Sequence, residues 1–448
     1  MFRLLSWIPG CRGPKYTRHY DEKSTSLISD TAPSFAHVPP PPLAHPIPGS
    51  YYRRRPIDED YPSVFRNHPY DRKYRRYPMH EETYQVIASP PRDPLPQPRA
   101  QRRETSRKAR HSESTYPNRT NDGHHNHAAM RRRIADETLA AIERGEVQFQ
   151  GSIFRFRDVV LQSRDNTIFY SPDSILATWS TTVPASLSVH PAQLELCEGS
   201  TLLRARALLH DLNSSSADNG GSPVRVGVLS FASATRPGGG FLAGAHAQEE
   251  SLARSSTLYM SLVSPIGANF YELHKRDRRS GFYTHAMLFS PAVLVLRDDA
   301  GGWVTPHQIE VVTCAAVNAG VVRERAGDRV SADDAAQIEG TMRERMARIL
   351  FLFEQQGIRN IVLGSFGTGV FRNDVSMVAD IWYDLLAEEG ARFTHSFDRV
   401  VFGIIDKRTI ERFKAVFQSR FEARSAVGWS SGNPNGAGTP RSVLRVVE

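Results

Sequence analysis

The sequence predicts an α/β protein in which a central sheet lies between layers of helices. Three observations point there. Apolar runs of strand length alternate with long amphipathic helical patterns between residue 129 and about residue 422. Two of those strands open into glycine loops that lead towards helices. Charge is also partitioned, because residues 1–128 carry 21 Lys and Arg against 13 Asp and Glu, while the rest of the chain carries 35 of each. The whole formal excess of +8 therefore lies ahead of the folded region.

Residues 1–128 are rich in Pro, Ser, Tyr and Arg, with runs such as HVPPPPLAHPIPG and YYRRRP, and show no apolar periodicity. Such a segment buries too little surface to offset chain entropy, so it is expected to be disordered. Its interleaved Arg and Tyr suit contact with nucleic acid or another polyphosphate, and equally suit a solvated tail with no ligand. Cys11, Cys197 and Cys314 form neither a disulfide framework nor a metal spacing, which favours a reducing compartment, cytoplasmic or nuclear. No apolar run reaches transmembrane length, and Pro9 and Gly10 break any amphipathic presequence, so no membrane partner is expected.

The first helix is expected over Arg131–Val147, with Ile134, Thr138, Leu139 and Ile142 on one face and Gly145 as its stop. Ser152–Tyr170 alternates apolar and polar residues around the cluster SRDNT, which reads as a hairpin. A strand within Leu187–Glu198 and a helix over Thr201–Leu212 follow, then a low-complexity loop to Pro223. Val224–Ala232 is a strand, Gln248–Val263 a helix, and Ala286–Asp298 a strand made irregular by Pro291. Ile309–Ala316 reads as a buried strand and Asp333–Gln356 as the longest helix, ended by Gly357. Strands at Asn360–Gly364 and Asp398–Asp406 alternate with helices at Asp374–Glu389 and Thr409–Phe421, and residues 423–448 look like a disordered tail.

The chemistry concentrates in the two glycine loops. Gly238, Gly239 and Gly240 follow the strand Val224–Ala232, and Gln248, Glu249 and Glu250 open the next helix. Consecutive glycines are tolerated where the main chain turns through positive φ or lets a ligand approach, and a helix start favours anions. Ser365–Phe371 (SFGTGVF) occupies the same position after a second strand. Two such backbone nests can cradle one diphosphate from both sides. An adjacent Glu pair at a helix start is by itself an ordinary solvated pair, and Phe371 by itself is an ordinary core aromatic.

The spacing of three glycines, seven residues and Gln-Glu-Glu resembles the signature of the poly(ADP-ribose) glycohydrolases, whose catalytic domain is a macrodomain. The flanks FASATRPGGGF and LARSSTLY are similar to the microbial-type branch, and the resemblance covers most of residues 129–422. It implies a three-layer α/β/α macrodomain with a mixed sheet and an N-terminal helix-and-hairpin accessory portion. It implies Glu250 as the general acid that protonates the leaving ribose oxygen and then activates water. Glu249 would orient the ribose of the leaving unit, and Gln248 would support the loop whose Gly238, Gly239 and Gly240 meet the substrate. GSFGTGVF resembles the second diphosphate-binding loop, so Gly367, Thr368, Gly369 and Val370 would offer main-chain groups and Phe371 would pack against the terminal ribose. Ser230, Val317 and Val375 depart from the residues common in the family.

The implied activity is hydrolysis of ribose–ribose O-glycosidic bonds in poly(ADP-ribose), from the chain end, by a monomer without metal or cofactor. Its partners would be the polymer or ADP-ribosylated proteins. The rival readings are a mono-ADP-ribosyl hydrolase and a non-catalytic ADP-ribose-binding macrodomain. His246 falls in the spacer and is expected to be exposed, and the run Gly123–His127 (GHHNH) lacks the Cys partners of a zinc site.

Overall fold

The structure, a computed structural model, describes residues 121–216, 224–276, 281–327, 331–430 and 443–447. Most of the segment expected to be disordered, and with it the proposed nucleic-acid contact, lies outside the described residues, as does Cys11. The helix that opens the described residues reaches back across residue 128. Helix α1 (Asn121–Arg144) begins at Asn121, so GHHNH lies within a helix, and Gly145 at φ 76° ends it as expected.

The hairpin that follows is not the one expected. Strands β1 (Glu146–Phe149) and β2 (Ser152–Arg155) pair antiparallel across Gln150 and Gly151, whose φ values of 50° and 77° suit a type I′ turn. Arg157–Asp165 forms helix α2, although Val159-Val160-Leu161 has strand composition. Val160 and Ser163 are its buried residues, three apart on one helical face. Strand β3 (Ile168–Tyr170) then joins the edge of the main sheet.

That sheet contains β4 (Gln193–Glu198), β5 (Val226–Phe231), β6 (Met287–Arg297), β7 (Trp303–Cys314), β8 (Asn360–Leu363), β9 (Arg399–Ile404) and β10 (Val443–Val447). Their order is β10-β4-β9-β8-β5-β7-β6-β3. Neighbours from β10 to β7 are parallel, and β6 pairs antiparallel with both β7 and β3, so the sheet is mixed. Adjacent residues along the central strands serve opposite faces, as the pleat requires. Val228, Val311, Val362 and Val401 pack towards α3 (Thr201–Ser216), α4 (Gln248–Ser255), α5 (Leu258–Leu262) and α6 (Pro265–Arg276). Leu229, Val312, Ile361 and Val400 pack on the other side, towards α8 (Ala332–Gln355), α9 (Val375–Leu386) and α10 (Lys407–Ser430). Helix α7 (Ala319–Ala326) follows β7 and is capped by Asn318, whose side chain accepts the Val321 N–H. The result is the three-layer α/β/α arrangement.

Two long elements differ from their sequence patterns because tertiary contacts interrupt them. The helix expected over Gln248–Val263 breaks between α4 and α5, where Ser256 is extended and bridges Val295 of β6. Thr257 exchanges hydrogen bonds with Leu294, through its N–H at 2.9 Å and its hydroxyl at 2.9 Å. Strand β6 shifts register between Ser290 and Val293, around Pro291, as a missing N–H requires. The C-terminus also differs from the expected tail: α10 continues to Ser430, and β10 pairs parallel with β4 at the sheet edge. Among the described residues no helix is long and apolar enough to cross a membrane, and Cys197 and Cys314 are buried and unpaired.

Candidate active site

Strand β5 ends at Phe231, and the next nineteen residues build one side of a cleft. Gln248, the first residue of α4, ties that helix to the strand. Its Oε1 accepts the Phe231 N–H at 2.8 Å, and its Nε2 donates to the Leu229 carbonyl at 2.7 Å and the Thr201 hydroxyl at 3.2 Å. Glu249 is 3% exposed, and its Oε2 accepts the Ser233 N–H at 2.6 Å. Its Oε1 is buried and makes no hydrogen bond within the protein. Burial, aided by the neighbouring Glu250 and opposed by the Ser233 N–H, pushes the Glu249 carboxyl well above its ordinary range. Glu250 is half-buried, and its Oε1 accepts the Gly240 N–H at 2.9 Å.

Gly239 shows why the loop needs glycine. Its φ is 61°, and a Cβ there would run into the Glu250 carboxylate. Helix α1 closes the outside of this loop: Arg131 Nε donates to the Gly244 carbonyl at 2.7 Å, and Ala135 packs against Phe241 and Ala253. The accessory helix is thus part of what holds the carboxylates.

The opposite side of the cleft is Ser365–Phe371, directly after β8. Gly367 has φ 75°, and a Cβ there would fall 2.5 Å from the Ala316 Cβ. Asn373 fastens the loop from behind, its Nδ2 donating to the Gly367 carbonyl at 2.9 Å and the Val317 carbonyl at 2.7 Å. Thr368 turns its hydroxyl onto the Ser365 carbonyl at 2.9 Å. Gly369 has open space where a Cβ would be, and Val370 is 78% exposed. Phe371 is half-buried, its ring 6.0 Å from that of Tyr283.

Between the loops lies a cleft of about 780 Å³. Gly239, Gly240, Gln248, Glu249, Glu250, Gly367, Thr368, Gly369, Val370 and Phe371 all line it. Gly238 does not. Its φ of 67° turns the chain, and a Cβ would meet the Phe241 ring, so its part is to shape the loop. His246 is exposed, as expected, yet it lines the cleft beside Glu250. Partial desolvation at the cleft rim, with Arg131 and Arg254 nearby, holds its imidazole below the usual range.

Sequence reasoning missed the far wall. Ser200 and Thr201 follow β4, and Ile405, Asp406 and Thr409 follow β9, all lining the cleft. Their position just past the carboxyl ends of parallel strands was the signal that could have found them. Asp406 Oδ2 accepts the Thr409 N–H at 2.8 Å and hydroxyl at 2.7 Å, and the Thr409 hydroxyl and N–H hold its carboxyl below the usual range. Asp299 comes from the tip between β6 and β7, accepts the Ser200 hydroxyl at 2.5 Å, and had no signal in the sequence. Among the described residues no cluster of His, Cys, Asp and Glu is arranged to hold a metal ion.

Comparison with known proteins bears on this cleft. The family described as "Microbial-type PARG, catalytic domain" matches residues 135–298, which include the first loop and both glutamates. A solved poly(ADP-ribose) glycohydrolase from Thermomonospora curvata is 36% identical with a TM-score of 0.56, the match covering 65% of this chain and 99% of that one. The same enzyme bound to the inhibitor ADP-HPD matches at 35% identity and TM-score 0.54, over 65% of this chain and 99% of that one. A poly(ADP-ribose) glycohydrolase from Deinococcus radiodurans in complex with ADP-ribose matches at 30% identity and TM-score 0.51, covering 61% and 99%. No curated protein sequence matched the chain.

Proposed function

The chain belongs to the microbial-type poly(ADP-ribose) glycohydrolases, and from that premise we propose that it hydrolyses ribose–ribose O-glycosidic bonds in poly(ADP-ribose) with Glu250 as general acid and base. The observation that carries this reading is the Glu250 carboxylate, held by the Gly240 N–H at 2.9 Å in a cleft lined by both glycine loops.

Breaking the bond at the anomeric carbon builds oxocarbenium-like charge there and leaves an oxygen that needs a proton. Glu250 supplies that proton, then removes one from the attacking water. Glu249 Oε1 is a buried oxygen without a protein partner, and a sugar hydroxyl entering the cleft fits it. Burial and the adjacent Glu250 raise the cost of ionising Glu249, which favours one proton shared by the pair over two charges beside the diphosphate. Gln248 keeps α4 in register with β5, so both carboxylates face the loop. Main-chain groups of Gly367, Thr368, Gly369 and Val370 receive the diphosphate and distal ribose, and Phe371 packs on the terminal sugar. Cleavage from the chain end, a monomeric state, a cytoplasmic or nuclear setting and nucleic-acid contact through the basic segment complete the proposal. Because α1 braces the first loop, the catalytic unit extends back to residue 121.

The test compares the parent with Glu250→Gln on poly(ADP-ribosyl)ated and mono(ADP-ribosyl)ated protein. The parent should release ADP-ribose from polymer, and Glu250→Gln should lose about 10²- to 10⁴-fold in kcat while still binding ADP-ribose. Binding without turnover by both would make the chain a reader, and parental release from mono-modified protein alone would make it a mono-ADP-ribosyl hydrolase.

A further inference from the structure

Below the second loop sits a cation that the proposed chemistry does not use. Arg345 of α8 is fully buried, and no carboxylate pairs with it among the described residues. Its guanidinium instead donates to main-chain carbonyls: Nη1 to Ala315 at 3.0 Å, and Nη2 to Phe282 at 2.9 Å and Tyr283 at 3.4 Å. Burial pulls its pKa down to about 10, which still leaves it charged at neutral pH. A buried guanidinium without an anion costs stability, and an apolar side chain of similar volume would fill the space without that cost. What the fork does that an apolar chain cannot is join two separate stretches of backbone.

Both stretches lead to the sugar end of the cleft. Ala315 precedes Ala316, which lines the cleft and against which Gly367 is packed. Tyr283 has φ 55°, a left-handed conformation that strains a bulky residue and persists only where surroundings impose it. In that conformation its ring lies between His274, 5.9 Å away at 85°, and Phe371, 6.0 Å away at 39°. His274 is itself bonded to Thr284 at 2.9 Å and to the Phe270 carbonyl at 2.9 Å. The Asn318 N–H holds the Gly281 carbonyl at 2.8 Å, and the Gly320 N–H holds the Phe371 carbonyl at 3.1 Å.

We infer that Arg345 is a positioning residue, which clamps the 282–283 main chain to the end of β7 and so presents the Tyr283 ring as the fixed wall behind Phe371. The inference rests on the reading that Phe371 contacts the terminal ribose. Arg345 and Tyr283 touch no reacting atom, and their effect reaches the substrate through the angle of the Phe371 ring.

Steady-state kinetics on polymer and ADP-ribose titration, run on four variants of the full chain, test it. Phe371→Leu should raise KM and weaken ADP-ribose binding about tenfold. If it does neither, the reading of Phe371 fails, and this inference with it. Tyr283→Leu should give about a fivefold rise in KM, the size of one aromatic pair contact, with kcat within about twofold, while Tyr283→Phe, which keeps the ring, should restore parental KM. Arg345→Met should reproduce the KM effect of Tyr283→Leu if it folds. Parental KM and affinity in Tyr283→Leu, alongside an impaired Phe371→Leu, would overturn the inference whether or not Arg345→Met folds.

Discussion

The two glycine loops occupy the same place in the fold, each just past the carboxyl end of a parallel strand, yet they are held in opposite ways. The first is braced from the cleft side by its own functional groups. Gly240 donates to Glu250, Gln248 grips the end of β5, and a Cβ at Gly239 would displace the Glu250 carboxylate. The second is braced from behind, by Asn373 on the Gly367 carbonyl and Gly320 on the Phe371 carbonyl, while Gly369 and Val370 stand open to the cleft. On the proposed function, the loop that aims a carboxylate is packed against it, and the loop proposed to receive the ligand leaves its exposed face empty. Sensitivity to substitution should follow that division.

Alanine at the paired glycines gives the sharpest contrast. Gly239→Ala forces Glu250 off the Gly240 N–H and should lower kcat about 10²-fold, as small displacements of a catalytic group do. Gly369→Ala meets no atom within 4 Å and should leave kcat within about twofold of the parent, any effect appearing in KM. Equal losses of kcat at the two positions would remove the contrast.

The brace behind the second loop is tested by Asn373→Ala. Losing both side-chain hydrogen bonds from a residue 3% exposed takes the Nδ2 donor from the Val317 carbonyl, leaves the Gly367 carbonyl only the Asn373 main-chain N–H at 3.1 Å, and should cost about 1–3 kcal/mol in denaturant unfolding. KM should rise more than kcat falls, because the first loop is untouched.

The smallest expected effect is a pH dependence. The folded-state pKa of Glu249 is raised above its ordinary 4.5, so the folded chain holds a proton that the unfolded chain has released. That contribution to stability is complete below about pH 4.5 and is lost as pH rises through the folded value. Glu249→Gln cannot titrate, so its thermal midpoint should fall less than that of the ligand-free parent as pH rises above 4.5. Parallel midpoint curves for the two proteins would show that burial does not hold the proton there.

Much of the fold was legible because its strands are buried on both faces and therefore read as continuous apolar runs, as at Val226–Phe231 and Asn360–Leu363. Helix α8 was legible from its stripe of Ile338, Met342, Met346, Ile349, Leu350 and Phe353, all buried. The errors arose where local composition and tertiary contact disagreed. Val159-Val160-Leu161 favours a strand but lies in α2, and Ser256-Thr257 sits in a helical pattern but is drawn out to pair with β6. The first turn after α1 was misplaced because Gln150-Gly151 is a weaker turn signal than the polar cluster SRDNT.

Within the site, the resemblance of the glycine-to-glutamate spacing to a family signature brought Gly239, Gly240, Gln248, Glu249 and Glu250 to notice, and it was legible because a strand, a tight glycine turn and a helix start are local events set by neighbouring residues. Which carboxylate is buried, which carries the raised pKa, and that α1 closes the loop from outside were decided only when distant segments packed together. Desolvation and hydrogen bonds to Ser233 and Gly240 depend on what surrounds a group in space, not on its neighbours in the chain. The same holds for Asp299 and Arg345, whose neighbours in the cleft and beneath it come from strands and helices far away along the sequence.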